Sequence, residues 1–147
     1  MIRKQVPRLS QDRAGTTAVE FAIVIGPFCL LLFGCIEVGR LAWSRHALEQ
    51  VTAASARCVG LLAGPCTTNS SYDHTKSVRF AQAQAQKWSI TLPDDAIEIL
   101  NSTSCANLAG FSQVSVNYAF QSLFPTVITA LSGDVNLRST ACFPNRP

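Results

Sequence analysis

The chain has 147 residues, 48% of them hydrophobic and 14% charged, with a formal net charge of +3. That length suits one domain. The charge is small and unevenly placed: Arg3, Lys4, Arg8 and Arg13 against Asp12 hold the excess at the head, and from Glu37 onward eight basic residues nearly balance seven acidic ones. No basic face is left for nucleic acid.

The basic head runs to Arg13 and stops where an apolar run starts. Lys and Arg beside a first hydrophobic segment are retained in the cytoplasm. The expected topology therefore keeps the head inside and sends everything after the apolar run outside. A cleaved secretory signal shares the basic head and apolar core, but this core is long and Glu20 interrupts its cytoplasmic end. Gly34-Cys35-Ile36-Glu37-Val38-Gly39 makes a poor small-x-small cleavage site, and Leu32-Phe33-Gly34-Cys35 only approaches a lipobox.

From Val19 to Val38 a helix rising ~1.5 Å per residue crosses most of a bilayer. Phe21 to Ile36 carries no charge. Pro27 inside it leaves the carbonyl of Ile23 without its usual donor, and the simple expectation is a kink. Membrane helices tolerate this where neighbours compensate. Glu20 is the costly residue, because an intramembrane acid is by default functional. Its bland role is snorkelling to the cytoplasmic headgroups.

A glycine, Gly15, lies five positions before Glu20, at the junction of basic head and apolar run, and the aromatic Phe21 follows the acid. This is the layout of a type IV prepilin processing site. The stretch from Ala14 to about Arg45 resembles the TadE family of minor pilins, or pseudopilins, of the tight-adherence (Flp) pilus. Glu20-Phe21-Ala22, Pro27 and the exit Cys35-Ile36-Glu37-Val38-Gly39-Arg40 carry the likeness. Flp-type prepilins favour tyrosine where this chain has Phe21. The resemblance covers only the first third of the chain.

It implies that a prepilin peptidase cuts between Gly15 and Thr16, and it places the assembly-associated acid of such families on Glu20. Thr16 then carries a free α-amino group, mostly protonated at neutral pH from its ordinary pKa of ~7.7. A neighbouring subunit's amine can pair with Glu20, and the cost of a half-paired charge favours one axial stagger. The implied partners are the peptidase, other pilins or pseudopilins, the inner-membrane Tad assembly proteins and the lipid bilayer. The implied location is a bacterial inner membrane, single-pass, with the C-terminal domain periplasmic and possible entry into the pilus. An uncleaved, membrane-anchored periplasmic binding module is the alternative from a different functional class. The expected division is a cytoplasmic leader over 1–15, a transmembrane helix over 16–38 and a pilin-like domain over 39–147.

Beyond Glu37 the helix is expected to continue. Leu41, Leu48, Val51, Ala54, Cys58 and Leu61 recur at three- and four-residue steps, with Arg45, Glu49 and Arg57 on other faces. Gly60, Gly64 and Pro65 end it. Thr67 to Asp73 is a polar turn region, and Thr75 to Trp88 a second helix with Val78, Ala81, Ala85 and Trp88 on one side. Pro93-Asp94-Asp95 breaks the chain, and Ala96 to Leu100 is a short strand. Val114, Val116, Tyr118 and Phe120 alternate with small or polar residues, as a half-buried strand does. Leu123 to Leu131 is a short helix or a membrane-hugging loop, Ser132-Gly133-Asp134 a turn, and Val135 to Phe143 a weaker strand. The expected fold class is α+β, with a long N-terminal helix, a second helix and a small antiparallel sheet.

Six cysteines divide two and four. Cys29 and Cys35 lie within the apolar run, where a thiol behaves as a small apolar side chain. Cys58, Cys66, Cys105 and Cys142 lie beyond it and suit two disulfides in an oxidising compartment. Three connectivities are open. The favoured one joins Cys58 to Cys66 across the helix end and Cys105 to Cys142, from the loop before the sheet to the last strand. A zinc site is not expected, because there is no Cys-x-x-Cys pair and the histidines are His46 and His74 alone. No glycine-rich phosphate loop or nucleophile elbow is present. Asp94 and Asp95 suit a polar turn, and His46 suits a surface position near headgroups. Neither a cofactor nor an enzymatic activity is expected.

Overall fold

A computed structural model describes residues 14–123, 125 and 135–146. They fall into two compact units that meet between Val38 and Gly39. The basic head up to Arg13, the turn at Ser132-Gly133-Asp134 and nearly all of Leu123 to Leu131 lie outside the described residues.

Helix α1 spans Ala14–Gly60, with Pro27 inside it. Its N-terminal part makes up the first unit. Here the large apolar side chains stand open, with Phe21, Ile23, Val24, Leu30 and Leu31 all among the exposed residues. The apolar stretch of this helix has a mean hydropathy of 2.4 and none of it is buried, so it is long and apolar enough to cross a membrane.

The second unit begins with the rest of α1. Its buried face is Ala47, Leu48, Val51, Thr52, Ser55, Ala56, Cys58 and Val59. The sequence pattern placed Ala54 and Leu61 on that face, but Ala54 is half-buried and Leu61 exposed. The reason is close approach to the sheet. Small side chains fill the buried stripe, and a Cβ on Gly60 would meet Phe143 Cδ1 at 2.8 Å and the Pro144 carbonyl oxygen at 2.9 Å. Of the two polar residues there, Thr52 is hydrogen-bonded, whereas the buried Ser55 hydroxyl has no partner among the described residues. The Thr52 hydroxyl bonds back to the Leu48 carbonyl at 3.0 Å and meets the Ser139 hydroxyl at 3.0 Å.

After α1 a 3-10 turn over Gly64–Cys66 leads into a two-stranded hairpin, β1 (Thr67–Thr68) and β2 (Ser71–Tyr72). The polar turn expected here is thus a small hairpin. Asn69 and Ser70 both take positive φ, 51° and 63°, which is what a tight two-residue hairpin turn requires. Asp73 then caps α2 (His74–Gln86): its side chain accepts from the Lys76 backbone N–H. Thr68 donates to the same carboxylate at 2.6 Å. The helix buries Ser77, Val78, Ala81 and Ala85.

Three strands complete the unit: β3 (Ile97–Cys105), β4 (Leu108–Ala119) and β5 (Asn136–Pro144), antiparallel in the order β3-β4-β5. Ile97 pairs with Val116 and Ile99 with Val114, and these four are buried on the face shared with Ser139 and Ala141 of β5. The opposite face carries Glu98, Gln113, Ser115, Asn117, Arg138 and Thr140, in register across the strands. β3 runs further than the short strand expected, to Cys105, because a register shift between Leu100 and Thr103 lets polar residues continue the ladder. Cys105 is therefore within the sheet and not in a loop before it. Ala106 and Asn107, at φ 50° and 67°, turn the chain into β4.

Both disulfides belong to this unit. Cys58 is bonded to Cys66 across the end of α1, Cα atoms 6.0 Å apart, and Cys105 to Cys142, 6.5 Å apart. Cys29 and Cys35 are free. The fold class is α+β: a long apolar N-terminal helix, a second helix and antiparallel sheets.

Candidate functional site

The residues marked out by sequence gather at the start of α1. Gly15, Thr16, Glu20 and Phe21 are all on this helix. A glycine is a weak helix former, about 1 kcal/mol below alanine, so Gly15 weakens the first turn of this helix, while Pro27 interrupts it further on. Among the described residues, an added Cβ there would meet nothing within 4 Å. Thr16 and Glu20 stand four residues apart. They share one helix face, separated by ~6 Å along the axis. Glu20 is exposed and Phe21 is 67% exposed. The geometry thus offers a carboxylate and, one turn before it, the backbone nitrogen that cutting after Gly15 would free.

Chemically this arrangement can do two things. The glycine puts no side chain beside the peptide bond to Thr16. The acid presents a charge at the head of a run whose other residues, from Phe21 to Ile36, are uncharged. An ionised carboxylate in that setting seeks a cation. Within the first unit the described residues Gly15 to Val38 contain no Lys or Arg to serve as one.

The four cysteines beyond the apolar run are gathered elsewhere, in the second unit, as the two disulfides. They brace the fold and are not near one another as a set of ligands. Among the described residues, no three His, Cys, Asp or Glu side chains come together to hold a metal ion. Asp94 and Asp95 start a 3-10 turn, where Asp94 accepts from Gln82 Nε2 at 2.6 Å.

Two features were not singled out from sequence. Arg40 donates to the Gln121 carbonyl at 3.3 Å and its guanidinium lies 5.5 Å over the Phe120 ring. This ties the base of the second unit to the end of β4. Trp43 meets Trp88 edge to face, with His46 against the same ring. Trp43 stands seven residues after Ile36, the end of the uncharged run, a signal present in the sequence. The arrival of Trp88 beside it is a tertiary event.

Residues 15–57 match the family model described as TadE-like protein. The match begins at Gly15, takes in Glu20, Phe21 and Pro27, and ends within the buried half of α1. It associates this part of the chain with proteins of the Tad pilus. No curated protein and no solved structure matches the chain.

Proposed function

We propose, with the TadE-like match over residues 15–57 as premise, that this protein is a minor pilin or pseudopilin of the Flp/Tad pilus. A prepilin peptidase cuts it between Gly15 and Thr16. The role is structural and not enzymatic. The single observation that carries the reading is that the family match starts at Gly15, the residue at which the charged head gives way to the apolar helix.

On this reading the apolar part of α1 spans the inner membrane with the basic head in the cytoplasm, as charge retention favours. The second unit lies in the periplasm, a compartment that suits two disulfides. Cutting exposes the Thr16 amine one turn from Glu20. In a row of packed subunits, the amine of one neighbour answers the carboxylate of the next and sets their stagger. Partners are then the peptidase, other pilins and the inner-membrane Tad assembly proteins.

The test is the mass and N-terminal residue of the membrane-extracted protein from cells with a working peptidase. The expected mature chain begins at Thr16. Gly15→Val should leave it uncut, since a branched side chain crowds the scissile peptide. Glu20→Ala should be cut and inserted normally but should lower filament yield. A wild-type chain that still begins at Met1 or Ile2 would overturn the pilin reading and leave an uncleaved, membrane-anchored module.

A further inference from the structure

Strand β4 outruns one of its two neighbours. It pairs with β3 no further than Val116, opposite Ile97, but with β5 on to Ala119, opposite Asn136. Before Ile97 the chain leaves the sheet through the 3-10 turn Asp94–Ala96. That departure leaves a notch of about 550 Å³ beside the end of β4. Small-ligand sites run from ~300 to ~1,000 Å³. Every residue lining the notch belongs to the second unit.

The wall of the notch is rich in polar groups that lack partners. Thr91, Asp95, Asn117, Gln121 and Asn136 line it, and all five are exposed. None of their side chains has a hydrogen-bond partner among the described residues. Gln121 meets Arg40 through its main-chain carbonyl alone, and the Gln82 amide donates to Asp94, not to Asp95. The backbone adds to the set. Phe120 donates its N–H to the Val135 carbonyl at 2.9 Å, on the β5 side. Peptide groups alternate in direction along a strand. Ala119 therefore turns its N–H and C=O to the other edge, where β3 no longer runs.

The make-up of this set selects its ligand. No Lys, Arg or His lines the notch, so a phosphate or carboxylate would find no cation there. An apolar ligand would desolvate the amides and Asp95 without replacing their hydrogen bonds. The three amides, the Thr91 hydroxyl and the Ala119 peptide groups both donate and accept, and Asp95 accepts. A hydroxyl answers both roles in one group, so a ligand that carries several hydroxyls is the complement. An extended peptide answers less well. Strand addition uses a row of open peptide groups, and here Ala119 alone supplies them.

We infer that the notch at the end of β4 binds a neutral saccharide, with Asp95 on the turn side and Asn117 on the strand side taking its hydroxyls. The inference needs neither cleavage at Gly15 nor any pilus role.

Calorimetric titration of the full chain tests it, in micelles of a detergent without a sugar headgroup. The probes are cellotetraose, a plain hexose glycan; chitotetraose, an N-acetylhexosamine glycan; and the acidic tetragalacturonate. A site this open binds weakly, so one or both neutral probes should bind with a Kd on the order of 1 mM, and tetragalacturonate more weakly. Which neutral probe binds identifies the kind of sugar. Asp95→Ala and Asn117→Ala should each weaken that binding roughly fivefold, as the loss of a hydrogen bond does. Glu98→Ala, on the same open sheet face but outside the notch, should leave it unchanged. All three side chains are exposed, and equal unfolding midpoints check that the variants keep the fold. Failure of both neutral probes to bind, or binding that survives both notch variants, overturns the proposal. Tighter binding of tetragalacturonate also overturns it. Binding of an end-blocked tetra-alanine peptide in place of either neutral sugar would assign the notch to an extended peptide and overturn it equally.

Discussion

Leu30 and Leu48 are the same residue type on the same helix, yet Leu30 is 77% exposed and Leu48 is 1% exposed. Before Val38, α1 keeps its leucines, isoleucines and phenylalanines open on every side. After Ala47 it buries a stripe under the sheet. Propensity does not separate the halves, since both are good helix. What differs is whether the chain returns to cover the surface. The second unit supplies its own apolar interior. The first has none, and each large side chain it left in water would forgo ~1.5–3 kcal/mol. It therefore needs another solvent, lipid or the apolar faces of neighbouring subunits.

The sharpest way to break this comparison is through the cysteines. Cys105–Cys142 closes a sequence separation of 37 and Cys58–Cys66 one of 8. In the chain-entropy description the longer closure stabilises by about 4 kcal/mol and the shorter by about 2.5 kcal/mol. Cys105→Ser should therefore lower the unfolding midpoint more than Cys58→Ser, while Cys29→Ser should leave it unchanged. The measurement is denaturant unfolding of the full chain in micelles, followed by tryptophan fluorescence. Both indoles belong to the second unit, so the signal reports that unit alone. Equal loss from Cys29→Ser would mean that the two regions do not fold independently.

The leucines give the next largest contrast. Leu48→Ala removes a side chain from the core and should cost about 3 kcal/mol, within the range for buried leucine. Leu30→Ala should leave the same transition in place. Its effect belongs in membrane retention, read as the fraction of protein recovered in alkaline-washed membranes. A Leu30→Ala chain with a destabilised second unit would contradict the division at Val38.

Glycines repeat the contrast at smaller scale. At Gly60 an added methyl must push against Phe143 and against the backbone of Pro144. Gly60→Ala should therefore destabilise the second unit by about 1–3 kcal/mol. At Gly34 nothing lies within 4 Å, so Gly34→Ala should leave the unfolding midpoint unmoved. The same unfolding curves decide it. Parity between the two variants would mean that α1 and β5 do not pack as closely as the Gly60 geometry requires.

The same division explains what was legible in the sequence. The apolar run, its basic head and the Gly15–Glu20 spacing are local signals, and no fold is needed to read them. The alternation of Val114, Val116 and Tyr118 likewise announces its strand. Three things were hidden because they depend on partners. The buried stripe of α1 includes Thr52, whose hydroxyl looks solvated until Ser139 arrives, and Ser55, buried although its hydroxyl has no partner among the described residues. The continuation of β3 to Cys105 passes through Asn101 and Ser102, which fall in the register shift with the Asn101 carbonyl accepting from Ser112 and Asn145, and then through Thr103 and Ser104, which pair with β4; none of this shows as hydrophobic pattern. The hairpin over Thr67–Tyr72 is too short and polar to show a period, and it is fixed by the turn at Asn69-Ser70 and the carboxylate of Asp73. At the candidate site the residues could be named from sequence, but their common helix face could not be confirmed without the helix. The Trp43–Trp88 contact needed the whole fold.

The smallest effect tests whether that last polar corner is set by charge. Asp73 is solvent-facing, and its carboxyl is held below the usual carboxylate range, first by the Thr68 hydroxyl and then by the Lys76 backbone N–H that it caps. A carboxylate lowered in the folded state binds protons less readily there than in the unfolded chain. Its contribution is therefore present above the unfolded value of ~3.9 and is lost as pH falls through the folded one. Asp73→Asn keeps an oxygen for the helix cap but removes the charge and its titration. The wild-type chain should melt slightly above Asp73→Asn at neutral pH, and the gap should close as the pH drops below about 4. Because the group faces water, solvent screening keeps the difference small. The apolar helix should contribute nothing to it, since the tryptophan signal comes only from the second unit. The check is a pair of melting curves for each chain in micelles, one near neutrality and one in acid. A gap that is unchanged in acid would show that Asp73 acts as a hydrogen-bond acceptor alone, and that its ionisation is not coupled to the fold of the hairpin and α2.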